Sequence, residues 1–88
     1  MDHPQDVLKY AGTLQDLARD IANLRYDKIV EFLGYLATEI NQQAVGDKEK
    51  GREQLASALE IAAKLLDKAA HKFEGIWRIC EPYIKEKE

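Results

Sequence analysis

Asp67, His71 and Glu74 are the residues of this chain whose types and spacing come closest to a metal site. Steps of four and three place them on one face of a helix, and an imidazole with two carboxylates is a donor set that zinc accepts. The set stops at three, however, and Lys68 and Lys72 stand among its members. Its face also lies opposite the apolar stripe of the same segment. The expectation is a solvated row of helix-spaced charges, and no metal or cofactor is assigned.

Paired carboxylates give no better chemistry. Asp16 with Asp20, and Glu31 with Glu39, could be imagined as acid–base pairs. Di-metal helical bundles need inward-facing Glu together with Glu-x-x-His pairs, and this chain has no Glu-x-x-His. General acid–base work also needs a pocket that shifts the pKa values, and these acids fall on solvent-facing positions. Cys80, the one cysteine, lies on an apolar stripe as a small hydrophobe. A nucleophile would need a base beside it, and His71 lies across the helix. The chain reads as non-enzymatic, with no catalytic residue.

Two groups remain that could bind rather than react. Lys64, Lys68 and Lys72 step by four along one helix, with Arg78 near the same side. That ridge could touch phosphates, and a small nucleic-acid-associated regulator is the alternative reading. Acids flank it, and Glu60 to Lys64 and Glu74 to Arg78 have the spacing of stabilising pairs. The whole chain carries 13 basic and 16 acidic residues, net −3, where a general nucleic-acid binder shows a basic face. Nucleic acid and anionic membrane are therefore disfavoured partners. The second group is apolar: Phe73, Ile76, Trp77, Cys80, Tyr83 and Ile84 cluster at the end of the chain. Tryptophan is enriched at interface hot spots, and this cluster is the expected contact surface. The competing reading is that Trp77 caps the core of its own chain.

The elements that would position these groups are all helical. With 45% hydrophobic and 33% charged residues, the 88-residue chain reads as one globular domain, 1–88. Helix formers dominate and strand-like alternation is absent. Pro4 suits a first helical turn with Asp2 or His3 as cap. From there Val7, Leu14 and Ile21 form one heptad row, and Tyr10, Leu17 and Leu24 the other. At positions 28 and 31 the rows meet Lys28 and Glu31, and a new stripe begins with Tyr26, Ile29, Val30 and Leu33. A break near Asn23 to Asp27 is the simplest cause, with Asp27 or Asn23 as cap. The alternative is a continuous rod from Pro4 to Val45 that uses two faces. Tyr35 and Phe32 fall off the centre of the second stripe, which implies cover on that side too.

Gly46 to Gly51 supplies the next turn, and Pro82 is expected to end the last helix. The reading is an antiparallel three-helix bundle with helices at about 4–24, 26–45 and 48–81. The last is longest, and its apolar residues spread over roughly 200° at about 100° per residue. A stripe of only about 100° serves a single core, so helix three needs two neighbours. Its last ten or so residues would overhang a bundle of shorter helices. Homodimerisation through helix three, with a protein partner also possible, follows as the expected function; a long helical hairpin dimerising into a four-helix bundle is the alternative fold. With a single cysteine, no apolar leader and no stretch long enough to span a bilayer, the expected location is the cytoplasm.

Overall fold

The computed structural model describes residues 3–84 and is helical throughout its regular elements, with no strand among the described residues. The chain forms α1 (Leu14–Ala22), α2 (Tyr26–Glu49) and α3 (Glu53–Ile84). The all-α class and the three-helix order agree with the sequence. Asp2 as a cap, the tail 85–88 and the side chain of Ile84 lie outside the described residues.

α1 begins at Leu14 rather than at Pro4, and a capping box sets the start. The Thr13 hydroxyl accepts from the Asp16 amide at 3.0 Å, and the Asp16 carboxylate accepts from the Thr13 amide at 3.1 Å. Two of the orphan donors of a helix start are thereby satisfied. Residues 3–13 form a non-helical arm that folds back along α1, where Tyr10 donates its hydroxyl to Asp20. Gly12 makes this approach possible: a Cβ there would sit 2.7 Å from a Tyr10 ring carbon and 3.0 Å from Asp16 Cβ.

The break between α1 and α2 falls where the apolar stripe jumps, so the continuous rod is ruled out. Neither expected residue caps α2, however. Asn23 closes α1 instead, its amide donating to the Arg19 carbonyl at 3.1 Å. Arg25 leads into α2 in extended conformation, without a side-chain cap. Its guanidinium grips Asp27 through two bonds of 2.9 Å. The opposite charge holds the Asp27 carboxyl below its ordinary pKa, the Arg25 hydrogen bonds being the main cause.

α2 runs through Gly46 to Glu49, and Gly51 is the glycine that turns the chain, at φ +80°. The Arg52 amide donates to the Asp47 carbonyl at 2.8 Å and the Gly51 amide to that of Lys48 at 3.1 Å. These two bonds make a Schellman ending, in which glycine takes the left-handed position at least cost. Gly46 loses to Gly51 because Asp47, Lys48 and Glu49 all tolerate helix. Asp47 gains further from staying helical: its carboxylate is buried at the turn and bonds Arg52 at 3.0 Å. At the other end α3 passes Pro82 and reaches Ile84, three residues beyond the expected stop. A proline in the last turn deprives only the Arg78 carbonyl of its donor, and Arg78 is exposed to solvent.

α2 and α3 pack against each other along their length; α1 buries none of its residues. The seam has a strict heptad spacing on both helices. On α3 it reads Ala56, Leu59, Ala63, Leu66, Ala70, Phe73, Trp77 and Cys80; on α2 it reads Tyr26, Val30, Leu33, Ala37, Ile40, Ala44 and Asp47. Tyr26 stacks on Phe73, centroids 5.9 Å apart, and Asp47 meets Arg52 at the turn. In that register Ala37 falls level with Ala63, and Ala44 with Ala56. Alanine at the crossing lets two helices lie near the close end of the usual 8–10 Å separation.

The consequence is a seam without a core. The buried apolar residues are Ile29, Ala37, Ala44, Ala56, Ala63 and Ala70, and no large side chain is fully buried. The Cα atoms extend over 53 × 29 × 14 Å. The smallest dimension is about that of one pair of helices side by side.

Candidate interaction surface

The heptad that forms the seam also sorts what lies on either side of it. One broad side carries Ile29 and Leu36 of α2 with Leu55, Ala62, Ala69 and Ile76 of α3. The other carries Asp27 with Glu60, Asp67, Glu74 and Glu81. Alternation of leucine with alanine on the first side leaves a shallow groove over the middle of the hairpin. Leu36, Ile40, Leu59, Ala62, Leu65 and Leu66 line it, without a polar side chain. Leu65 stands 58% exposed at its edge. On the charged side, Asp27, Val30, Glu74, Trp77 and Arg78 surround a smaller hollow near the open end.

The expected contact cluster is divided by this geometry. Phe73 lies under Tyr26. Trp77 is half-buried beneath Arg25, whose guanidinium carbon sits 5.5 Å from the ring centroid. A cation over an indole face is an attractive contact, and it fastens the start of α2 to α3. Beyond Phe73, α3 continues for eleven residues, about 16 Å, past the level at which α2 begins. The overhang expected from the helix lengths is thus present, though the hinge covers Trp77 and Cys80 is half-buried. Ile79 and Tyr83 are the bare residues, 73% and 68% exposed, and Ile76 lies between at 38%. Tyr35 is 69% exposed, so the cover implied for the outer side of α2 does not come from the described residues.

Among the polar candidates, Glu74 and Arg78 border the hollow beside Trp77. Lys64, Lys68, Lys72 and Arg78 are all exposed on the outer side of α3. The spaced pairs Glu60–Lys64 and Glu74–Arg78 are not among the ion pairs of the described residues; Glu74 instead bonds His71 Nδ1 at 2.8 Å. No group of three or more His, Cys, Asp or Glu side chains among the described residues gathers as a metal site. Asp16 serves the capping box and Asp20 the Tyr10 hydroxyl. Glu31 pairs with Lys28 at 3.0 Å. No described helix is long and apolar enough to cross a membrane.

The groove residues Leu36, Ile40, Leu59 and Leu66 were not singled out by sequence reasoning. The signal that finds them is the unbroken three–four spacing of alanine and leucine from Ala56 to Ala70. Comparison of the chain with protein-family models, curated proteins and solved structures finds no match.

Proposed function

We propose that this chain is a non-enzymatic helical interaction module that works by self-association, with a contact surface running from the hairpin groove to the exposed end of α3. The surface includes Phe73, Ile76, Trp77, Cys80 and Tyr83 of the terminal cluster, and the groove leucines extend it toward the turn. One observation carries this reading. Five of the six buried apolar residues are alanines, whereas the groove leucines Leu36, Leu59 and Leu66 are only half-buried and Leu65 is 58% exposed, so the apolar residues best able to stabilise a fold are incompletely covered within the chain. Burying a leucine side chain fully contributes about 1.5–3 kcal/mol, and the lone chain realises only part of it. The charged side of the hairpin has the opposite character and suits contact with water. A cytoplasmic location completes the reading.

Light scattering coupled to size exclusion tests it on the wild type and on Trp77→Ala. The wild type should elute with the mass of two chains, and Trp77→Ala should weaken assembly more than it lowers helicity. Equal loss of both would make Trp77 a support of the hinge alone. A single-chain mass for the wild type at every concentration would overturn self-association.

A further inference from the structure

We propose that the groove face is closed by a second copy of this chain, with α3 crossing its mate antiparallel about a two-fold axis between Leu65 and Leu66. The proposal rests on the self-association reading and adds to it the face, the occupant and the symmetry.

Area argues for an occupant of this size. The chain exposes 7213 Å², whereas a compact monomer of 10.0 kDa exposes about 5,200 Å². Covering half of the excess, about 1,000 Å² on each copy, would bury more than the roughly 1,600 Å² total of a standard interface. Shape agrees. The radius of gyration is 15.9 Å, against about 12 Å for a compact chain of this length and about 16 Å for one twice as long. A second hairpin laid on the groove adds mass without adding length.

The chain's own α1 is too short to do the same. Its nine residues span about 14 Å, whereas the apolar side of α3 from Leu55 to Ile76 spans about 32 Å. The Asn23 cap and the Arg25–Trp77 contact also hold its end at the margin of the hairpin.

Symmetry selects the orientation. In a two-fold contact, residue i meets j and j meets i. About a centre between Leu65 and Leu66, α3 places Leu65 level with Leu66 of its mate, Ala62 with Ala69, and Leu55 with Ile76. The apolar series on α2 has its own centre between Gly34 and Tyr35, which pairs Leu33 with Leu36. In the register set by Tyr26 on Phe73 the two centres lie at the same level, within one residue. One axis therefore serves both helices, and the product is an antiparallel four-helix arrangement with the charged sides outward.

Cysteine cross-linking reads the axis directly, in the full chain with Cys80→Ser as background. Leu65→Cys sits beside the axis and should form an interchain disulfide under mild oxidation at least tenfold faster than Ile61→Cys, on the outer side of α3. Leu65→Glu should raise the dissociation constant at least a hundredfold while the helical circular dichroism persists. Should Leu65→Cys cross-link no faster than Ile61→Cys in a protein that light scattering shows to be dimeric, the axis is wrong and self-association stands. If the Cys80→Ser and wild-type proteins are both monomeric, both readings fall.

Discussion

Tyr10 and Asp20 are ten residues apart, a separation that no helical spacing would join, yet they share a hydrogen bond because the arm turns back along α1. That bond keeps the phenol protonated and pushes its pKa from 10.0 up to about 12, with the nearby Asp20 and Asp16 charges acting in the same direction. The folded chain thus holds the proton more tightly than the unfolded one. The contribution is complete below pH 10.0 and disappears as the pH rises through about 12. A titration of tyrosinate absorbance should show Tyr10 ionising above its ordinary value, and Asp20→Asn should bring it down. Gly12→Ala should have the same effect, since the new methyl group needs the space of the Tyr10 ring. A tyrosinate titration that Asp20→Asn leaves unchanged would show that the arm is not held. Gly51 gives a second prediction at this scale. An alanine at φ +80° should cost about 1–2 kcal/mol, measurable as a lower urea midpoint with an unchanged slope.

Among the elements, α1 and the hairpin differ in how they are held. The capping box and the arm stabilise α1 locally, and no residue of α1 is buried. Thr13→Ala should therefore remove about 1 kcal/mol from α1 alone. Hydrogen exchange at residues 14–17 should quicken while α2 and α3 keep their protection; a loss shared by all three helices would show that α1 supports the hairpin after all. The seam should respond in the opposite way. Ala63 is fully buried where the helices meet, and Ala63→Leu should destabilise the hairpin by about 1–3 kcal/mol through overpacking. An unchanged thermal midpoint would mean that the helices are not in close contact there.

The same elements mark how far the residues alone could be read. The two breaks were legible, because the apolar stripe jumps at Asn23–Asp27 and a glycine must follow Asp47 or precede it. Which glycine turns the chain was not, since Gly46 and Gly51 are locally equivalent until the buried Asp47–Arg52 pair decides. The arm was misread as helix because its residues fit one. The Thr13-x-x-Asp16 box, which was available as a signal, overrides that composition. The seam was hidden for another reason: alanine counts little in an apolar stripe, so the leucines set the apparent centre of α3. Leu59 and Leu66 share the true centre with the alanines while Leu55 and Leu65 flank it, and the roughly 200° width is the sum of that seam and the open side beside it.

For the whole molecule, that division of labour between small and large apolar residues makes stability depend on assembly. A lone hairpin with an alanine seam and an open leucine face lacks the buried large side chains that hold most domains of this size together. If the second copy supplies them, folding and association are linked, and the unfolding temperature must rise with protein concentration. A hundredfold increase in concentration contributes RT ln 100, about 2.7 kcal/mol per dimer. For an assembly of twice this length, 1 kcal/mol moves the midpoint by about 2–4 °C, so a rise of roughly 5–10 °C is expected. Leu65→Glu should abolish the dependence and leave a low, concentration-independent midpoint. Thr13→Ala should preserve it, because α1 lies outside the seam and the groove. A wild-type midpoint that stays constant over that range would mean that the open face contributes nothing to folding. The leucines along it would then have to act on a different partner, bound only after the chain has folded.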